Sequence, residues 1–396
     1  MSAKDVVILS AARTPIGSFQ GALAPLTAPK LGSIAAKAAL ERAQVSAEQI
    51  QEVYVGTVLP ANQGQAPGRQ AALGAGIPNV VPCTTINKVC GSGLKTVMLA
   101  AQAIRAGDAE VVLAGGMESM SNAPYYVEGA RGGFRFGHQK LIDGMIKDGL
   151  WDVYHDFHMG SAAELCAREC NISRSAQDEL SMESYRRARE AIAKGWFKDE
   201  IVTVEIAGKK GEVTRVDTDE EPAKSDLAKM SALKGAFEKE GTVTAANSSK
   251  LNDGASMVVV ASREWAEKNG KKWLATIKGY GSAAQAPEWF TTAPAKAIQG
   301  TLDRLSMKVS DIDLFEINEA FAVVALANEK LLGLDRGKVN VHGGAVALGH
   351  PIGASGTRIL TTLLYALKRY EKKRGLASLC IGGGEAVALV VERSER

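Results

Sequence analysis

One pattern of turn, strand and helix is written twice in this chain, once toward each end, and a chain that repeats itself in this way is constrained to fold as two similar halves. In the first copy Val45-Ser46-Ala47-Glu48-Gln49-Ile50 leads into the strand-like Glu52-Val53-Tyr54-Val55-Gly56; in the second, Val309-Ser310-Asp311-Ile312 leads into Leu314-Phe315-Glu316-Ile317-Asn318. Further along, Cys90-Gly91-Ser92-Gly93 opens an amphipathic helix to about Ala106. A buried strand, Val111-Val112-Leu113-Ala114, then ends in Gly115-Gly116-Met117-Glu118. The second copy has the same grammar: Gly353-Ala354-Ser355-Gly356 opens a helix to about Tyr370, Ala377-Ser378-Leu379-Cys380 reaches Gly382-Gly383-Gly384-Glu385, and Ala388-Leu389-Val390-Val391 follows as a last strand.

Apolar strands alternating with helices of this length predict an α/β fold with sheets covered on both faces. Two such halves, packed helix against helix, give the layer order α/β/α/β/α. The first half is expected over residues 1–120, completed by about 249–270, and the second over 271–396. Residues 121–248 differ in composition, with Gly132-Gly133, a Tyr/Phe/His-rich stretch from Trp151 to His158 and charged segments around 205–240, and are read as an inserted loop domain. At 396 residues, 46% apolar, the chain exceeds the size at which a single core stops growing.

The charge balance excludes some partners. With 47 basic and 44 acidic residues the net charge is +3, so no global field draws the chain to nucleic acid or to an acidic membrane. No apolar run reaches membrane-spanning length. Five cysteines, at 83, 90, 166, 170 and 380, are odd in number and dispersed, which suits a reducing compartment better than a disulfide-stapled secreted domain. Met1-Ser2-Ala3-Lys4-Asp5 runs straight into Val6-Val7-Ile8-Leu9 without a secretory h-region, and Ser394-Glu395-Arg396 is no peroxisomal tripeptide. A soluble, cytoplasmic protein is expected.

The reactive side chains lie on tight turns. Cys90 follows the strand-like Thr84-Thr85-Ile86-Asn87 and precedes a helix, whose free amides and dipole favour a thiolate over a thiol of ordinary pKa about 8.5. A thiolate attacks a thioester readily, because one C–S bond is exchanged for another. The alternative is a buried structural cysteine; the helix-start placement favours the nucleophile. His350, in Gly349-His350-Pro351-Ile352-Gly353, is held where no regular helix continues and could accept a thiol proton, or it is a surface-loop histidine. Cys380 is core or chemistry; the glycine run after it offers the Gly382 N–H as an oxyanion donor. Asn318, ending its strand, can hold a water or a carbonyl oxygen. His155, His158, Cys166 and Cys170 could in principle ligate zinc, but Cys166 and Cys170 also fit an apolar helix face with Leu165, and no metal is expected. The Gly382-Gly383-Gly384 run lacks dinucleotide-binding spacing, and neither a P-loop nor a G-x-S-x-G elbow is present.

Taken together, seven stretches resemble the thiolase family along nearly the whole chain: Ala11-Ala12-Arg13-Thr14-Pro15-Ile16-Gly17, Gly64-Gln65-Ala66-Pro67-Gly68-Arg69-Gln70-Ala71-Ala72, Asn87-Lys88-Val89-Cys90-Gly91-Ser92-Gly93, Gly115-Gly116-Met117-Glu118-Ser119-Met120-Ser121, Asn318-Glu319-Ala320-Phe321, Gly349-His350-Pro351-Ile352-Gly353 and Cys380-Ile381-Gly382-Gly383-Gly384. The chain looks most like the biosynthetic type. The resemblance implies thiolase-like duplicated halves and a reversible ping-pong Claisen condensation of two acetyl-CoA to acetoacetyl-CoA and CoA, within fatty acid metabolism. Cys90 would carry the acetyl group, His350 would take its proton, and Cys380 would deprotonate the second acetyl-CoA. One oxyanion hole would use His350 with a water on Asn318, the other the N–H groups of Cys90 and Gly382. The resemblance further implies that Leu150, His158, Met159, Ser249, Ala320 and Phe321 line the pantetheine channel, that Lys229 approaches the nucleotide end, that CoA serves only as substrate or product with no other cofactor, and that the protein is a homotetramer supported by the segment near 120–145.

Two places depart from the family pattern. His342 stands in Val341-His342-Gly343-Gly344 where Asn is frequent, and Phe290-Thr291-Thr292-Ala293-Pro294 replaces a Met-Gly-containing segment near the acyl pocket. Phe290 is expected to narrow that pocket and favour short acyl chains. The competing readings are a broad-chain degradative 3-ketoacyl-CoA thiolase and a non-catalytic acyl-CoA carrier.

Overall fold

The computed structural model describes residues 5–208 and 211–394, so most of the lead-in before the first strand and two residues of the closing tripeptide lie outside the described residues. Leaving shorter pieces aside, the first half contains β1 (Val6–Arg13), β2 (Gly17–Ser18), α1 (Ala28–Ala43), β3 (Glu52–Gly56), α2 (Pro67–Gly74), β4 (Cys83–Ile86), α3 (Ser92–Ala106) and β5 (Val111–Ser119). Helices α4 (Met159–Glu169) and α5 (Arg174–Ala193) belong to the intervening region. The chain then returns through β6 (Asn252–Ser262), β7 (Ala275–Ala284), α6 (Ala293–Arg304), β8 (Leu314–Ile317), α7 (Ala322–Leu332), α8 (Ser355–Arg369), β9 (Arg374–Ile381) and β10 (Glu385–Arg393).

The duplication is visible in strand direction. In the first half β3 lies parallel to β5, and β6 and β1 continue antiparallel; in the second, β8 lies parallel to β9, and β10 and β7 continue antiparallel. The halves meet where β1 pairs with β7 at Val7–Thr276 and Ile8–Ala275, so that all ten strands form one mixed sheet in the order β8-β9-β10-β7-β1-β6-β5-β3-β4, with β2 beside β6. Even β4, added parallel to β3, has a counterpart in the parallel bridge of Phe315 to Val339 beside β8.

The layers follow from which faces are apolar. Alternate residues of β1, β5 and β6, such as Ile8, Val112 and Val258, face α3 and α8, as do Ala377, Leu379, Leu389 and Val391 of the second half. The opposite face of the first half packs on α1 and α2, and that of the second half on α6. Helix α8 is therefore buried on every side from Ser355 to Leu367. Its hydroxyls find partners there: Thr357 Oγ1 donates to Gly93 O (2.8 Å), and Thr361 bonds Ser256 (2.9 Å). A side chain at Gly356 would fall on the Leu94 amide, which is how α3 and α8 come so close.

The two glycine runs of the repeat do different work. Gly383 and Gly384 have φ of 91° and 84° and turn the chain from β9 into β10. Gly115 and Gly116, expected to end a strand, instead lie inside β5, which continues to Ser119. A Cβ on Gly115 would come 2.8 Å from Met257 Cα, and one on Gly116 3.1 Å from Ala354 Cα, so these glycines admit close neighbours and make no turn.

The region after β5 is tied to the sheet through Arg13. Its Nε donates to Glu200 (2.7 Å) and its Nη1 and Nη2 to Asp219 (2.7 and 2.9 Å), all buried. Burial opposes the charge, but Asp219 and Glu200 outweigh it and hold the guanidinium protonated.

His342 is buried among Trp196 (5.0 Å between ring centres), Tyr370 (5.6 Å) and Phe197 (5.9 Å), and its Nε2 has no protein partner. Burial, aided by Arg369 and opposed by Glu190, lowers its pKa from 6.5 to about 4. The unfolded chain thus takes up a proton near pH 6.5 that the folded chain refuses until about pH 4, so stability is lost as pH falls through that window. His342→Phe keeps the ring contacts and removes the titration. The difference in unfolding free energy between pH 7 and pH 4.5, measured in urea, is expected to shrink by about 2 kcal/mol in the variant; an unchanged difference would remove His342 from the acid response.

Candidate active site

Cys90 is delivered by a strained turn. After β4 the chain passes Val89 at φ 47°, a left-handed conformation that a β-branched residue adopts only at a cost of about 1–3 kcal/mol. The turn is held by Gly91 N to Lys88 O (3.0 Å), Lys88 N to Ser92 Oγ (2.8 Å) and Ser92 Oγ to Val89 O (2.6 Å). The sulfur thus sits just ahead of α3, as expected, but the expected thiolate does not follow. Burial pushes the thiol up to about 11, with Glu118 adding to the shift, and the amides of Gly382 and of Cys90 itself only partly counter it. Desolvation outweighs the helix terminus, so Cys90 rests as a thiol and needs a base.

His350 is buried, not on the surface. Its backbone N–H is anchored on Asn252 Oδ1 (2.8 Å), and its Nδ1 lies 2.6 Å from Ser355 Oγ. Because Ser355 donates its own hydroxyl hydrogen to Pro351 O (2.9 Å), its oxygen accepts from His350, which places the ring proton on Nδ1. Nε2 is left as a lone-pair nitrogen without a protein partner. Burial, with Arg358, brings the imidazole down to about 3, so it is neutral and available as a proton acceptor.

Asn318 follows β8 and is fixed by its N–H to Ser378 O (3.0 Å); its Nδ2 lies 3.5 Å from His350 Nδ1, and its Oδ1 is buried without a partner. Asn340 supports this strand end by bonding Ile317 N (2.9 Å), Ile317 O (2.8 Å) and Glu319 (2.9 Å). Cys380, at the end of β9, is buried in the apolar cluster of Met159, Phe290 and Ala320. Burial raises its thiol well above the ordinary value, and the neighbouring negative charge of Cys90, when ionised, raises it further.

One cavity of about 360 Å³ gathers these elements. Cys90, His350 and Gly382 line it, as do Leu150, His158, Met159, Ser249, Phe290, Ala320 and Phe321, all singled out from the sequence. Its wall is strongly apolar, suited to a pantetheine-like chain with a few polar anchors. His158 caps α4: its Nδ1 accepts from Gly160 N (3.0 Å), which leaves the Nε2 proton for a ligand. Lys229 is not brought to the cavity; its side chain is 80% exposed and paired with Asp226 at 3.0 Å. Of the discounted zinc set, Cys166 and Cys170 stand 3.8 Å apart on α4, while His155 faces Asp152 and Glu288.

Sequence reasoning missed several wall residues. Phe237 stacks on His158 (4.8 Å) and meets Phe321 edge-on (5.9 Å); it lies in a stretch with no recognisable motif. Met120, Met145 and Ile352 form an apolar floor beside Cys90. Glu118 was visible in the first glycine run but without a role. Its buried carboxylate accepts from Thr57 (2.9 Å), Val58 N (2.9 Å), Leu59 N (3.2 Å) and Gly353 N (2.9 Å), tying the loop after β3 to the turn that follows His350. Burial raises it to about 7 against those four donors.

Residues 6–264 match the family model described as "Thiolase, N-terminal domain", and residues 271–393 match "Thiolase, C-terminal domain". The chain is 57% identical over 391 residues to "Acetyl-CoA acetyltransferase 2" of Arabidopsis thaliana, covering 98% of this chain and 97% of that one. It is 56% identical over 390 residues to "Acetyl-CoA acetyltransferase" of Cupriavidus necator, covering 98% and 99%. It is 52% identical over 396 residues to "Acetyl-CoA acetyltransferase FG05087, mitochondrial" of Gibberella zeae, covering 99% and 91%.

Proposed function

This chain belongs to the thiolase family, and from that premise we propose how its residues carry out acyl transfer between CoA thioesters. It is an acyltransferase, an acetyl-CoA acetyltransferase with acetoacetyl-CoA thiolase activity. The observation that carries the mechanism is that a protonated thiol, an unprotonated imidazole nitrogen and a backbone amide belong to residues lining one apolar cavity.

In the first half-reaction the Cys90 sulfur attacks the carbonyl of acetyl-CoA while His350 Nε2 takes the thiol proton. The carbonyl oxygen, as it gains charge, is met by preorganised hydrogen-bond donors. The thioester C–S bond breaks, and the departing CoA sulfur recovers the proton from His350. In the second, the Cys380 thiol passes its proton to His350 Nε2, the resulting thiolate removes a proton from the methyl of another acetyl-CoA, and the carbanion attacks acetyl-Cys90. Cys90 departs as the sulfur leaving group and takes back the proton held on His350 Nε2, the methyl proton stays on Cys380 as its thiol, and acetoacetyl-CoA leaves. The amides of Cys90 and Gly382 serve one oxyanion, and His350, while it holds a proton on Nε2, serves the other together with a water on Asn318. Acylation orders the two steps: once Cys90 is acetylated it cannot carry the negative charge that opposes ionisation of Cys380.

The thioester's pantetheine arm runs past His158, Met159, Leu150, Ser249, Ala320 and Phe321, with Lys229 toward the nucleotide. CoA is substrate or product, and the reaction as written needs no other cofactor. In this reading residues 1–120, completed by about 249–270, and residues 271–396 are the two catalytic halves, and residues 121–248 carry CoA and oligomer contacts. A homotetramer is supported by the exposed aromatic and apolar side chains of the 120–145 segment, among them Tyr125, Phe134, Phe136 and Leu141. Five free thiols favour a reducing compartment, the cytoplasm.

Cleavage of acetoacetyl-CoA by CoA, followed by loss of the 3-ketoacyl thioester, tests the activity. Chain length tests the pocket. Phe290 is 3% exposed and packs 6.4 Å from the Phe321 ring, which leaves little room for a long tail. Activity is expected to fall at least about tenfold from acetoacetyl-CoA to an eight-carbon 3-ketoacyl-CoA. Equal kcat/KM on both would replace this reading by the broad-chain degradative one.

A further inference from the structure

Lys250 stands in the wall of the same cavity, immediately before β6, and no step of the acyl transfer uses it. Its Nζ donates to the carbonyl oxygens of Ala245 (2.6 Å) and Ser248 (2.7 Å), and lies 6.0 Å from the centre of the Tyr185 ring. Two carbonyls and an aromatic ring are a cation site built from partial charges.

The turn these carbonyls belong to carries cavity wall: Ala245, Ser248 and Ser249 all line it. Other bonds fix parts of the turn. Thr244 N donates to Asn247 Oδ1 (2.7 Å), Ser248 Oγ to Thr244 O (2.7 Å) and Ser249 N to Ala320 O (3.0 Å). The carbonyls of 245 and 248 converge on one point, where their negative ends repel unless a cation sits between them. Burial works against the ammonium and brings it down to about 8, with Glu221 as the charge that favours it.

We propose that Lys250 is a positioning residue for thioester binding: its ammonium ties the Ala245 and Ser248 carbonyls together and so holds the turn bearing Ser248 and Ser249 against the substrate. The inference rests on the reading of this cavity as the CoA thioester site. It separates binding from chemistry, since the clamp touches neither Cys90 nor His350.

Two variants test it in acetoacetyl-CoA thiolysis. Lys250→Met keeps the stem without the charge; Lys250→Gly removes both and leaves space for a small cation. In each, KM for CoA is expected to rise about tenfold or more while kcat falls less than about threefold. Methylammonium chloride is expected to restore the KM of Lys250→Gly but not that of Lys250→Met, whose stem fills the space; tetramethylammonium chloride at equal ionic strength should restore neither. An unchanged KM in both variants, or a loss of kcat as large as the rise in KM with no response to methylammonium, would overturn the proposal. If the parent protein shows no turnover, the acyltransferase reading fails, and calorimetric titration with CoA judges the clamp separately: affinity about tenfold weaker in Lys250→Met supports it, and equal affinity overturns it.

Discussion

Cys90→Ala is expected to abolish acyl-enzyme formation and to lower thiolysis of acetoacetyl-CoA by at least about 10⁴-fold, the scale on which enzymes lose activity with their nucleophile. The size of the effect follows from what the site lacks without sulfur. His350 Nε2 remains as a base and the Gly382 amide as a donor, but no side chain is left to accept the acyl group. The loss should appear in kcat, with CoA affinity little changed, because the pantetheine wall of Leu150, His158 and Phe321 is untouched. The fold should also tolerate it, since alanine is smaller than cysteine and the strain at Val89 belongs to the backbone. Intact-mass measurement after mixing with acetyl-CoA checks the claim, and equal acetylation of parent and variant would remove Cys90 as the nucleophile.

Cys380→Ala separates the two half-reactions. Acetylation of Cys90 from acetyl-CoA should survive within a few fold, whereas condensation and thiolysis of acetoacetyl-CoA fall about 10²–10⁴-fold, the range of a lost general acid–base group. The asymmetry arises because Cys380 lies near enough for its ionisation to be opposed by that of Cys90 but outside the set of groups that activate it. A second readout is exchange of the methyl hydrogens of acetyl-CoA with deuterated water, which should disappear in the variant. If the variant loses acetylation and condensation together, Cys380 is part of the nucleophile's machinery and the two-step assignment fails.

Much of this was legible in the sequence because the repeat constrains backbone and chemistry together. The duplicated run into β3 and β8, the helix starts after Cys90 and at Ser355, and the strand carrying Cys380 all follow from local pattern. What was not legible depends on packing. Gly115 and Gly116 read as the end of a strand, since sequence alone cannot tell glycine used for a positive φ from glycine used for close approach. Thr357, Arg358, Thr361 and Thr362 give α8 a polar face in sequence, yet the helix is buried all round because its hydroxyls bond the layers on either side. The helix start just after Cys90 suggests a thiolate, but desolvation by surrounding protein is a tertiary property and decides the opposite protonation state. Phe237 and Met145 reach the cavity from segments with no motif, and Met120 reaches it from a motif that carries no sign of that role.

The central claim is that an acetyl group passes through Cys90, and peptide mass spectrometry after brief exposure to acetyl-CoA addresses it most directly. A single added acetyl group on the peptide containing Cys90, discharged on addition of CoA, is the predicted result. No adduct on Cys90 while acetyl-CoA remains bound would contradict it and leave an acyl-CoA carrier built on the same fold.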